Sequence, residues 1–120
     1  GQVHPGNFLK DALPTGHDLI SLIRVLHDHD DDAVVAILQS IRKTIRSDGV
    51  LLIAEPMLNT AGAQPVTAAY FNFYLMAMGQ GRPRSRAVIE SMLRDNGFNA
   101  VKEHKTCAPL LVRVLSARPV

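Results

Sequence analysis

Two short apolar runs with an amphipathic helix between them constrain the fold of this chain more than any other feature. Residues 19–26 read LISLIRVL, with six of eight positions β-branched or leucine and no clean alternation. Such a run fits a strand buried on both faces, the habit of parallel sheets. Residues 50–54 (VLLIA) repeat that design and are closed by Glu55 and Pro56. Between them, Val34, Ile37, Leu38, Ile41 and Ile45 recur at helical spacing over 31–46, while Gln39, Arg42, Lys43 and Arg46 fall elsewhere on the wheel. Asp30, Asp31 and Asp32 at the start and the basic last turn suit the helix dipole, and Ser47, Asp48 and Gly49 end the pattern. Residues 18–55 therefore predict a right-handed βαβ unit whose two parallel strands lie side by side or nearly so.

That topology decides where chemistry can sit, because open α/β sheets bind ligands at the carboxyl edge of their strands. The first run ends in His27-Asp28-His29-Asp30-Asp31-Asp32 and the second in Glu55. His27 and Glu55 are thus expected at one edge, where a carboxylate can orient a histidine as a general base. Two other readings stay open on local grounds. In one, the aspartates only cap a helix and the histidines are surface loop residues. In the other, His27-x-His29-x-Asp31 is the core of a dinuclear metallohydrolase, since alternate residues of an extended loop can face one ion. Asp32 stands where that pattern next wants a histidine, and His104 is the remaining candidate for a full ligand set.

Elsewhere the chain punctuates itself. Residues 1–14 read as the end of a short strand (Gln2, Val3, His4) and a loop, and 57–66 as a second loop. Thr67 caps the segment AAYFNFYLMAM, which is apolar nearly all round and must be core, line an apolar pocket or face another subunit. A noncatalytic dimerisation or interaction module presenting this helix is therefore a further alternative. After a turn-rich connector at 79–84, Ser85 caps a helix with Val88, Ile89, Met92 and Leu93 on its core face; Asn96 and Gly97 stop it above Phe98. The last two strands, 101–106 and 110–116, are joined by too short a link for a parallel crossover, so they form an antiparallel hairpin. The order is β-α-β-α-α-β-β, an α/β fold.

Charge and cysteine usage narrow the function classes. Thirteen basic and 11 acidic residues give a formal net charge of +2. The bases are scattered with little aromatic interleaving, which disfavours nucleic acid as a partner despite the arginines at 82–86. Cys107 is the single cysteine, so no internal disulfide framework exists and a reducing, cytoplasmic setting is expected. No apolar stretch approaches the roughly 20 residues that span a bilayer. A chain that opens on Gly1 is expected to be an excised piece of something longer.

Several motifs occur in a fixed order: 11–18 (DALPTGHD), 24–31 (RVLHDHDD), 51–56 (LLIAEP), 70–79 (YFNFYLMAMG), 81–85 (GRPRS) and 96–98 (NGF). Together they resemble the C-terminal part of S-adenosylmethionine-dependent O-methyltransferases, with the carotenoid (hydroxyneurosporene or demethylspheroidene) branch the nearest in wording. The resemblance covers practically the whole chain. It implies the C-terminal half of a Rossmann-like class I methyltransferase sheet ending in an antiparallel hairpin. The N-terminal dimerisation region and the glycine-rich cofactor loop would lie outside residues 1–120. By the same resemblance His27 is the general base, Glu55 orients it, and Asn7 and Phe8, in Gly6-Asn7-Phe8-Leu9, meet the adenine of S-adenosylmethionine. Phe73, Tyr74 and Met78 would line the pocket of a small apolar hydroxylated acceptor, and the enzyme would be a cytoplasmic homodimer with no metal. Departures from the pattern are His29 for a tryptophan, Asn7 for an aspartate, Ile23 for a lysine and Pro83 for a second catalytic glutamate.

Overall fold

The computed structural model describes residues 1–62, 66–109 and 111–120, without the side chains of 66–68, 70, 71 and 75. Strand β1 (Leu19–Ile23) leads through a 3-10 turn (Leu26–Asp28) into α1 (Asp31–Thr44) and β2 (Val50–Glu55). Helices α2 (Val66–Met78) and α3 (Arg86–Asp95) follow, then β3 (Phe98–His104) and β4 (Arg113–Pro119). The predicted element order and α/β class are therefore those of the folded chain. One four-stranded mixed sheet has the order β1-β2-β4-β3. β1 and β2 pair in parallel, with Leu22 opposite Ile53 and Ile23 opposite Ala54, while β4 runs antiparallel to both β2 and β3.

A single core cluster explains the arrangement. Val34, Ile37, Leu38 and Ile41 of α1 and Ile89 and Leu93 of α3 are buried with Leu22, Leu51, Ile53, Leu115, Ala117 and Phe98 of the sheet. Ser85 caps α3 by accepting a hydrogen bond from the Val88 amide, and Gly97, at φ 82°, follows the helix's last turn. These details match the reading of the sequence, apart from Val88, which is 43% exposed.

Other expectations are corrected. β1 is an edge strand covered on one face only: Leu22 is buried, but Leu19 and Ile23 are 56% and 60% exposed. It also stops at Ile23 rather than at residue 26, because Arg24 takes a left-handed φ of 55° and the chain tightens into the 3-10 turn. Gln2, Val3 and His4 form no strand and are exposed, having no partner in the four-stranded sheet. Helix α1 ends at Thr44, where Ile45 turns extended and the Arg46–Asp48 ion pair takes up the polar tail.

Helix α2 starts one residue before Thr67, whose capping side chain lies outside the described ones. Its described side chains are not core. Phe73 and Met76 are 74% and 76% exposed, and Tyr74 and Met78 are also exposed. The terminal hairpin is antiparallel as expected but shifted: β3 begins at Phe98 and β4 ends at Pro119, with a bulge between Asn99 and Lys102 where Ala100 has φ 49°. Residue 110, the expected first residue of the last strand, lies outside the described residues. No helix among the described residues is long and apolar enough to cross a membrane.

Candidate active site

The parallel register of β1 and β2 builds the site. Because Ile23 pairs with Ala54, the chain that leaves β1 passes directly over Glu55, the last residue of β2. The Glu55 carboxylate is 1% exposed and fully used. Its Oε1 accepts hydrogen bonds from the amides of Val25 (2.8 Å) and Leu26 (2.6 Å), and its Oε2 lies 2.5 Å from His27 Nδ1. A carboxylate that already accepts two amides is an acceptor at its other oxygen too, so Nδ1 carries the proton and Nε2 is the basic nitrogen. His27, 4% exposed, is thereby fixed in ring orientation and tautomer. Asp28 Oδ1 stands 3.2 Å from Nε2. The expected convergence of His27 and Glu55 is thus present in the folded chain.

The floor of the site comes from the connector after α2. Arg84 is 4% exposed, and its guanidinium donates to Leu26 O (2.7 Å), His29 O (2.8 Å) and Asp31 Oδ1 (2.7 Å from Nη2, 3.0 Å from Nε). Burial, and after it the charge of Arg82, lowers the Arg84 pKa from its usual value, while Glu55 and Asp30 oppose that shift. The group remains a cation, since arginine starts far above neutrality. Gly81 lies against the same turn: at φ 84° it donates its amide to Asp30 Oδ1 (3.0 Å), and a Cβ there would overlap the His27 carbonyl oxygen. Asp30 and Arg84 were legible only as cap and connector, and Asp31 only as cap or metal ligand. No spacing rule announces a buried arginine.

The remaining predicted residues are dispersed around this centre. Asn7 closes a small turn, its Oδ1 accepting from the Leu9 amide and its own amide donating to Asp11. Phe8 meets the His29 ring edge-on at a centroid distance of 5.6 Å. Asn7 and Phe8 line a cleft of about 370 Å³ with Pro5, Asp11 and Leu13. A second cleft of about 550 Å³ separates α2 from the connector; Asn72 and Met76 line it from α2, with Asp30, Gly81, Arg82 and Pro83 opposite. The residues read from the sequence, Phe73, Tyr74 and Met78, stand exposed on the same helix. Asn72 and Met76, four apart and therefore on one helical face, were the missed pair.

The His27-x-His29-x-Asp31 metal reading is corrected. Asp31 is engaged by Arg82 and Arg84, His27 Nδ1 by Glu55, and His29 packs on Phe8. Among the described residues no three His, Cys, Asp or Glu side chains are placed to share an ion.

A family model for an O-methyltransferase domain matches residues 2–99. The demethylspheroidene O-methyltransferase of Rhodobacter capsulatus is 39% identical over 113 residues, which cover 94% of this chain and 29% of that protein. The acetylserotonin O-methyltransferase of Bos taurus is 36% identical over 103 residues, 86% of this chain and 30% of that one. Human N-acetylserotonin methyltransferase, solved in complex with S-adenosylmethionine, superposes with a TM-score of 0.84 at 28% identity, over 97% of this chain and 33% of its own. The chain thus spans about 30% of the length of the curated relatives it matches.

Proposed function

The chain belongs to the O-methyltransferase family whose domain model matches residues 2–99, and on that premise we propose that it is the C-terminal portion of the catalytic domain of an S-adenosylmethionine-dependent O-methyltransferase. The N-terminal dimerisation region and glycine-rich cofactor loop would then lie outside residues 1–120. The observation that carries the reading is the buried 2.5 Å contact of His27 Nδ1 with Glu55, which leaves Nε2 as a base. S-adenosylmethionine, when bound, supplies a sulfonium methyl carbon open to in-line attack. Nε2 of His27 would take the acceptor's hydroxyl proton, freeing the oxygen's electron pair for that carbon. Glu55 holds the imidazolium formed in this step. Among the described residues Asp28 Oδ1 is buried and makes no hydrogen bond of good geometry, a polar atom beside Nε2 that an arriving hydroxyl could meet.

The residues present fit the adenine end of the cofactor. Phe8 and Asn7 line one cleft, an aromatic ring for stacking and an amide for the edge of a purine. An apolar acceptor, a hydroxylated carotenoid in particular, is supported by the names of the bacterial relatives and by the exposed Phe73, Tyr74 and Met78. The same apolar surface supports a homodimer, and the single cysteine a cytoplasmic setting.

In the intact protein, His27→Ala is expected to lower methyl transfer at least about 10²-fold while S-adenosylmethionine affinity stays near normal. Retained turnover would overturn the assignment. Offering a hydroxylated carotenoid, a phenol and a polyketide hydroxyl side by side tests the acceptor class.

A further inference from the structure

We infer that Arg84 is a positioning residue for the base, one that sets the reactivity of His27 through the backbone on either side of it; the inference rests on the reading of His27 as the proton acceptor. Residue 26 is held at both ends of its backbone dipole. Its amide donates to the Glu55 carboxylate at 2.6 Å, and its carbonyl accepts from the Arg84 guanidinium at 2.7 Å. Arg84 then reaches past His27 to the carbonyl of His29 at 2.8 Å. The backbone on either side of the base is therefore fixed by one rigid, planar group.

Two further contacts make the clamp specific. The far edge of the guanidinium is set by Asp31 Oδ1, so the first turn of α1 fixes how far Arg84 penetrates. Gly81, three residues upstream, rests on the His27 and Asp28 backbone so closely that a Cβ would stand 2.7 Å from the Asp28 carbonyl carbon. The connector that carries Arg84 is thus seated on the turn that carries the base. Glu55 fixes the ring at Nδ1, but the direction in which Nε2 points depends on the tilt of the 26–29 backbone, and among the described residues it is Arg84 that ties that tilt to the floor.

Lysine cannot replace this geometry: it offers one point charge where Arg84 presents donors along two edges of a plane. An intact protein carrying Arg84→Lys is compared with wild type and with His27→Ala. The amount of folded enzyme in each is fixed by S-adenosylmethionine binding. A positioning role predicts that kcat per folded site falls about 10- to 100-fold, with KM for S-adenosylmethionine unchanged and the acid limb of the pH–rate profile displaced. A downfield Nδ1 proton resonance of His27, expected from the 2.5 Å contact, should shift or broaden in the variant. A merely structural role predicts a lower melting temperature with kcat per folded site, pH profile and that resonance as in wild type, and this result would overturn the inference. Should Arg84→Lys not fold, Asp31→Asn, which removes the charge that seats the guanidinium, must show the same signature at smaller amplitude; a wild-type profile there overturns it equally. If His27→Ala keeps turnover, the reading of the base fails and the inference falls with it. If only Arg84→Lys is silent, the base stands and the clamp does not.

Discussion

Replacing Glu55 by glutamine and by alanine separates the two things its carboxylate does. Glu55 receives two backbone amides at Oε1 and the His27 ring at Oε2, all at a residue 1% exposed. Alanine removes every acceptor and strands the Val25 and Leu26 amides. At about 1–3 kcal/mol for each unsatisfied buried donor, plus the loss of the ring contact, Glu55→Ala should cost at least about 3 kcal/mol. That is a large part of the roughly 5–15 kcal/mol by which a domain is stable. Glutamine keeps Oε1 for the two amides. Its amide nitrogen then faces His27 Nδ1, and two donors cannot share that contact, so the ring proton must move to Nε2. The opposite amide orientation would set a donor against both backbone amides, which is worse. Glu55→Gln should therefore cost only about 1 kcal/mol, the difference between a charged and a neutral acceptor. If His27 is the base, as proposed, turnover should fall about 10³- to 10⁴-fold, because Nε2 now carries a proton where it must accept one. Urea unfolding and transfer of a labelled methyl group from S-adenosylmethionine read the two effects in the same preparations of the intact protein. Turnover within about tenfold of wild type, or a glutamine variant as unstable as the alanine one, would refute the tautomer argument.

Two further outcomes are expected. Gly81→Ala should destabilise the protein by more than Gly79→Ala: both glycines have positive φ, worth about 1–2 kcal/mol to an L-residue, but none of the described residues stands near a Cβ at Gly79, whereas one at Gly81 overlaps the His27 carbonyl. Equal melting temperatures for the two variants would show that the connector yields. Glu103 is held below the usual carboxylate range, chiefly by its hydrogen bonds from Arg113 at 2.7 and 2.9 Å and against the opposing effect of burial. A carboxyl lowered on folding stabilises above its unfolded pKa and loses that contribution as pH falls through the folded value. Glu103→Gln should thus cost about 0.5–1 kcal/mol at neutral pH and progressively less below about pH 4.5. A gap between the two unfolding curves that persists at pH 2 would count against it.

What could be read from the sequence followed from local periodicity. The α1 and α3 core faces, the Ser85 cap and the Gly97 stop each need only a few neighbouring residues, and apart from the exposed Val88 they are where the spacing put them. His27 and Glu55 were legible for a less local reason: two apolar runs separated by one helix leave little choice but a parallel pair, and a parallel pair brings its carboxyl ends together. Arg84 was not legible. It is 58 residues from Leu26, whose carbonyl it binds, and a basic residue between glycine, proline and serine reads as solvated turn. Nor does a sequence reveal that Glu55 and Arg84 grip opposite ends of one residue, since that requires two connectors to be stacked.

The expectations of burial that failed fall mainly on two elements. Leu19 and Ile23 on β1 and Phe73 and Met76 on α2 are residues whose apolar context predicts a covered surface, yet each is more than half exposed. β1 is also an edge strand, with backbone groups turned outward along a run that carries no proline and no lysine. Folded domains usually blunt such an edge with charge, a bulge or a covering element. Apart from Val88, the core-face positions of α1 and α3 show no such mismatch, so the pattern marks particular surfaces rather than a loosely packed chain. Apolar residues left bare at one sheet edge and along one helix support the proposal that further polypeptide of a larger catalytic domain covers them, in keeping with a chain that spans about 30% of its relatives' length. On that view the base, its orienting carboxylate and the arginine beneath them are completed within the 120 residues, whereas the surfaces that must meet cofactor, acceptor or a second copy are the ones left open.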